Sequence, residues 1–143
     1  MLVAEAMNKN IHTARIDTTI KKLAEIMSEN RIGSVIIVSG PGSLEGIVTE
    51  RDVMSKVVAT GKDPSKITAK DIMTTKVIAI DPSKTLEQAA DMMTKYKIKK
   101  LPVIFQGQIV GIITASDLIS YEEKLVEQIS SLITSSKVTG IGG

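Results

Sequence analysis

Hydrophobic and polar positions along this chain spell the same series of elements twice. Ile11 to Ile16 predicts a short strand, and Asp17-Thr18-Thr19 then supplies cap residues. From Ile20 the apolar positions Ile20, Leu23, Ala24 and Met27 recur at helical spacing and leave one buried stripe. Ser34 to Val38 is a continuous β-branched run, the pattern of a buried strand. Ser39-Gly40-Pro41-Gly42 is a turn, and Leu44 to Val48 is the next strand. After Thr49 a helix is expected to run to about Thr60, with Gly61 as its stop signal.

The series then restarts. Met73 stands for Met7, Val77 for Ile11, Leu86 for Ile20, Met93 for Met27, Ile98 for Ile32 and Val103 for Ile37. Ile109 to Ile113 returns as the closing strand, at an offset of about 65 residues, longer than the common solenoid repeats. Two copies of a β-α-β-β-α unit predict an α+β fold with two halves related by a pseudo-twofold axis. Neither half is large enough to bury much core alone, so the halves should pack sheet to sheet. Residues 1–65 form the first unit and 66–120 the second. A C-terminal helix over 121–134 carries an apolar stripe through Tyr121, Leu125, Ile129, Leu132 and Ile133, suited to folding back or pairing with a second copy. Residues 135–143 are small and Gly-rich, a composition that predicts a flexible tail.

Each unit closes on the same bend. Gly46-Ile47-Val48-Thr49-Glu50-Arg51-Asp52 is answered by Gly111-Ile112-Ile113-Thr114-Ala115-Ser116-Asp117. Thr sits where a helix N-cap belongs and Asp at the third helical position, so both bends read as capping boxes. The same residues also suit a nucleotide seat, because a carboxylate can accept both ribose hydroxyls beside free N–H groups that attract phosphate. Repetition of the bend favours the second reading over a cap alone.

Composition narrows the chemistry. The chain has 143 residues, no Cys, no Trp and one His, with Tyr96, Tyr121 and Phe105 as its aromatics. Thiol chemistry, disulfides, a His-rich metal site and a Ser-His-Asp triad are thereby excluded. His12 reads as a polar residue near a short strand. A flat ring bound here must lie mostly between aliphatic side chains. The net charge of +2, with Lys interspersed among Asp and Glu, describes a solvated surface and not a dedicated nucleic-acid face. Met1-Leu2-Val3-Ala4-Glu5 lacks the form of a secretory signal, and no apolar run approaches the ~20 residues of a membrane helix. A soluble, cytoplasmic protein without catalytic machinery is expected.

The tandem, with each unit ending in Gly-hydrophobic-hydrophobic-Thr-x-x-Asp, resembles the CBS domain pair, or Bateman module, from about Ala4 to Ser120. Met7 and Met73 in the lead-ins, Ile80-Asp81-Pro82 before the second helix, and Leu101-Pro102-Val103 add to the likeness. The resemblance implies clefts for adenosyl ligands: AMP, ADP, ATP or S-adenosylmethionine, with no required cofactor. Carried over, Asp52 and Asp117 would hold ribose hydroxyls, and Thr49 and Thr114 the ribose or first phosphate. Arg51 and Ser116 would reach phosphate from the same bends. The base would lie against Ile11 to Thr13 and Val77 to Ala79, with Ile36 and Pro102 completing its pocket. In similar proteins a basic residue just before Leu-Pro-Val reaches the phosphates; Lys100 fits that position and Ser34 does not. The lysines over Lys95 to Lys100 also read as a solvated cluster. One cleft is therefore expected to bind a phosphorylated ligand better than the other.

The function implied is a homodimeric sensor that binds an adenosyl nucleotide and alters an unidentified effector protein in trans. A structural dimerisation module with vestigial clefts is the alternative. Nucleic-acid binding through Lys95 to Lys100 fits the low net charge poorly.

Overall fold

The stripe of Ile20, Leu23 and Met27 forms the buried face of a helix, α2 (Ile20–Asn30), in the computed structural model, which describes residues 1–139. Thr19 starts it by accepting the Lys22 N–H at 3.2 Å, and Arg31 ends it in the left-handed conformation at φ 53°. Its repeat, α5 (Leu86–Tyr96), starts on a Thr85–Gln88 capping box and ends at Lys97 with φ 55°. Each helix lies ahead of an antiparallel hairpin: β2 (Ser34–Ser39) with β3 (Ser43–Thr49), and β4 (Lys100–Phe105) with β5 (Gln108–Thr114). Both hairpins carry a register shift at the same place, between Ile37 and Val38 and between Val103 and Ile104. The repeat extends to the irregularities.

Strand alternation sorts each hairpin into two faces. Val35, Ile37 and Val48 enter one core with α2, and Leu101, Val103 and Ile113 enter a second with α5. Ile36 and Pro102, on the intervening positions, are buried outside these clusters. The two sheets join into one of order β1-β2-β3-β5-β4, where β1 is Thr13–Arg15 and runs parallel to β2. The junction is slight: Ser43 pairs with Gln108, and the Ile109 N–H donates to the Gly42 carbonyl at 2.9 Å.

The expected strand over Val77 to Ala79 does not form. In the first half the Ile36 N–H donates to the His12 carbonyl at 3.4 Å. Pro102 occupies the matching position and has no N–H, so that rung is lost. Pairing begins only at Ile80, whose N–H donates to the Pro102 carbonyl at 3.0 Å and whose carbonyl accepts from Ile104 at 2.9 Å. Ala79 lies just ahead of that bridge, half-buried and outside any strand.

The lead-in segments are exchanged between the halves. Val3, in the short helix α1 (Val3–Ala6), is buried in the second core, while Ala69 and Ile72 of α4 (Ala69–Ile72) are buried in the first. Asn8 and Ile112 exchange both backbone hydrogen bonds, at 2.8 and 2.9 Å, and Thr74 and Ile47 repeat the pattern at 2.9 and 3.0 Å. This crossing explains the glycine of each motif. A Cβ at Gly46 would lie 2.7 Å from the Thr74 carbonyl oxygen, and one at Gly111 would lie 2.6 Å from Met7 Sδ.

The two motifs lead to different helices. In the first half α3 (Glu50–Val53) widens into a π-type turn over Met54–Val58, which keeps Val57 fully buried. Glu122 stands at the matching place in the second half and is exposed, so the helix is not drawn back to the core. It continues as one long rod, α6 (Ala115–Thr139), and residues 140–143 of the expected tail lie outside the described residues. Ile119, Val126, Ile129, Leu132 and Ile133 on this rod are exposed.

The lead-in crossing sets a stability prediction. Gly46→Ala should lower the unfolding free energy by about 1–3 kcal/mol, as an added methyl in a filled site does. Gly111→Ala should cost less, because Met7 is flexible and the Thr74 carbonyl is not. Urea denaturation of the two variants checks the order.

Candidate functional site

The bend of each half is built as a capping box. The Thr49 N–H donates to Asp52 Oδ2 at 3.0 Å and the Asp52 N–H to Thr49 Oγ1 at 3.1 Å. The second copy matches, with the Thr114 N–H 2.9 Å from Asp117 Oδ2 and the Asp117 N–H 3.2 Å from Thr114 Oγ1. Both carboxylates thus spend one oxygen on the helix start. Their second oxygens differ. Lys56 Nζ lies 3.1 Å from Asp52 Oδ1 and also donates to the Ile72 carbonyl at 2.9 Å. Tyr121 takes the place of Lys56 in the second half, and Asp117 has no ion pair among the described residues.

Register brings the bend and the preceding strand together. Thr114 pairs across from Lys100, and Thr49 from Ser34. Lys100 Nζ then reaches Ser34 Oγ at 3.5 Å, a long hydrogen bond between the two halves. Ser34 and Lys100 are matching residues of the repeat, so their meeting places them beside the pseudo-twofold axis. Lys99, the neighbouring lysine, is exposed.

A cavity of about 260 Å³ opens at this point between the halves. Ile11, Ile32, Ile36 and Ile112 give it aliphatic walls; Asn8, Asn10, His12, Ser34, Lys100 and Thr114 give it polar groups. Its volume is near the lower end of small-molecule sites, about 300–1,000 Å³. The aliphatic walls and the missing aromatic ring are what the composition requires. Among the described residues no carboxylate lines this cavity, and Lys100 brings a positive charge.

Of the residues singled out from sequence, Ile36, Lys100 and Thr114 line this cavity together. Asp117 is bonded to Thr114 but lines a separate groove of about 460 Å³ between α1 and α6, with Glu5, Tyr121 and Lys124. Thr13, Arg51 and Ser116 are exposed, and Pro102 is buried on the strand next to β5. Asn8 and Asn10 were not anticipated. The lead-in exchange brings Asn8 in, and that contact is visible only in three dimensions. His12, read as a bland polar residue, lines the cavity, as its place between Ile11 and Thr13 allows. Ser34 belongs to the site although it offers no charge.

Two halves built on one pattern, sharing a cavity near their common axis, define a tandem ligand-cleft module. The chain belongs to the CBS domain family: the family model matches residues 3–59 and again 69–124. An uncharacterized protein of Methanopyrus kandleri is 35% identical over 128 residues, a match covering 89% of this chain and 65% of that protein. A Vibrio cholerae structure described as a candidate acetoin utilization protein is similar with TM-score 0.82 and 29% identity, over 92% of this chain and 96% of that one. The CBS domain pair of protein MJ0100 was solved in complex with 5′-methylthioadenosine and S-adenosyl-L-methionine. It is similar with TM-score 0.74 and 31% identity, over 85% of this chain and 98% of that one.

The unequal carboxylates give a measurable difference. Asp52→Ala and Asp117→Ala should each lose about 1 kcal/mol with the hydrogen bond that the carboxylate accepts from the Thr N–H. Asp52→Ala should lose a further part, up to about 1 kcal/mol for a pair this exposed, that shrinks as salt is raised. Urea midpoints at low and high ionic strength check this; equal salt dependence in both variants would count against the Lys56 pair.

Proposed function

We propose that this protein is a regulatory sensor that binds an adenosyl ligand between its halves and acts on a partner protein in trans. The observation that carries the reading is the cavity itself: aliphatic walls for a base, with Thr114 and Lys100 placed side by side at its edge. The adenosyl compounds held by the MJ0100 domain pair support the same ligand class. The lining favours anionic members of that class, AMP, ADP or ATP, over the cationic S-adenosylmethionine, because Lys100 faces no carboxylate there. Its ammonium bonds Ser34 of the other half, so a phosphate that captures Lys100 would remove a tie between the halves. Such a ligand shifts the packing only by its difference in affinity for the two arrangements. In this reading the protein is not an enzyme. Thermal unfolding against AMP, ADP, ATP and S-adenosylmethionine tests it. A ligand at 100 times its dissociation constant should add about 2.7 kcal/mol. The gain for AMP should fall in Lys100→Ala, and no shift with any of the four would remove the sensor reading.

The exposed stripe of α6 supports a second element of the proposal, a homodimer in which two such rods cover each other. Placing Lys at Val126 and Leu132 together should convert a dimer to a monomer in sedimentation equilibrium and leave the helix content intact. A structural dimerisation module remains the competing reading, favoured by the closed Asp52 carboxylate alone. In that case the Lys substitutions would still give monomers, while no adenosyl ligand would shift the melting temperature.

A further inference from the structure

We infer that the two bends of the module are unequal ligand seats, and that Lys56 makes them so by pairing, in the first half, with the carboxylate that has no ion pair in the second half among the described residues. The inference rests on the adenosyl-sensor reading, with the ligand's ribose passing Thr114 at the cavity edge to reach Asp117 in the adjoining groove, and adds which bend binds better and what weakens the other. A carboxylate that grips a ribose diol must offer lone pairs to two hydroxyls. Asp52 Oδ2 already accepts the Thr49 N–H at 3.0 Å, and its Oδ1 faces the Lys56 ammonium at 3.1 Å. Lys56 is anchored at its other side by the Ile72 carbonyl, 2.9 Å away. The Asp52 side chain is 13% exposed, so the pair is shielded on the carboxylate side and a diol would have to displace the amine.

Three features fix Lys56 in this position. Asp52 and Lys56 are four residues apart on one helical surface, where side chains meet. Buried Val57 pins the π-type turn to the first core. The Ile72 carbonyl is supplied by α4, the exchanged lead-in, so the ammonium bridges two segments. None of the three recurs in the second half. Tyr121 replaces Lys56, Glu122 replaces Val57, and the space beside Asp117 is an open groove that Tyr121 and Ala6 both line. The asymmetry at Lys100 and Ser34 governs phosphate; this one governs ribose, and it is independent of phosphate.

Isothermal titration tests the inference, with 5′-AMP and with 5′-methylthioadenosine, which carries the same ribose diol and no phosphate. The native protein should bind its first ligand at the second bend about fivefold tighter than its second, and Asp117→Asn should weaken that first site about tenfold or more. Lys56→Met keeps the aliphatic stem and removes the ammonium. It should strengthen the second site, by about fivefold if the pair is worth as much as exposed pairs reach, and Asp52→Asn in the same chain should abolish it. Melting temperatures of all variants establish that they are folded. Two equal sites in the native protein would overturn the inference, as would a second site no tighter in Lys56→Met than in the native protein. A native site lost in Asp52→Asn and kept in Asp117→Asn would overturn it while leaving the sensor reading intact. Absence of binding in both the native protein and Lys56→Met would remove the sensor reading, and this inference with it.

Discussion

The crossing of the two lead-in segments is the constraint on which the rest of this structure depends. Each half completes its core with a helical turn that the chain supplies from outside that half: Val3 for the second, Ala69 and Ile72 for the first. The halves therefore cannot fold as independent beads, because each would leave an apolar gap where the other's segment belongs. Reciprocal backbone bonds at Asn8–Ile112 and Thr74–Ile47 close the splice at both ends of the pseudo-symmetry. Gly46 and Gly111 are needed because methionine and backbone of the crossing strand pass where a side chain would stand. The same splice carries Asn8 and Ile112 into the wall of the cavity. Core completion and site construction are one event.

Much of this was legible in the sequence where the determinants are local. The period of Ile20, Leu23 and Met27, the β-branched run after Ser34, and the Thr and Asp of each bend specify elements through contacts within a few residues. Repetition carried the pseudo-twofold relation as well. The failures have a common cause in partners that lie far along the chain. Val77 to Ala79 has strand composition, yet the rung it needs belongs to Pro102, which cannot donate. Asn8 and His12 gain their place from a crossing and from a cavity shared with residues about 90–100 positions away. Lys56 was not singled out, because Ile72, the second group that holds it, is brought over by α4.

Pseudo-symmetry makes these differences informative, since each residue has an internal control. At Ser34 and Lys100 the pair meets near the axis, one member neutral and one charged, so a single ammonium serves the shared space. At Lys56 and Tyr121 the carboxylate of one half is ion-paired and that of the other is not, among the described residues. At Val57 and Glu122 one helix is drawn into its core and the other is released as α6. Only the second of these bears on the bend carboxylate itself. The three are separated in chemistry as well as in position, as charge in the cavity, ion pairing at the bend and apolar anchoring of the helix.

The released helix is also the element best placed to report on the bend. Thr114, which lines the cavity, and Asp117, which lines the adjoining groove, together cap α6. In the first half the corresponding cap starts a turn that is pinned by Val57 and tied by Lys56, so a change there would be absorbed locally. In the second half the cap starts a rod whose apolar stripe faces solvent, and α1, whose chain continues to Asn8 in the cavity wall, packs against that rod. A rotation of a few degrees at the cap grows with distance along a straight helix, at about 1.5 Å of length per residue. The half whose Asp has no ion pair among the described residues is thus the half whose cap starts the long rod, and the half whose Asp pairs with Lys56 is the one whose helix is pinned.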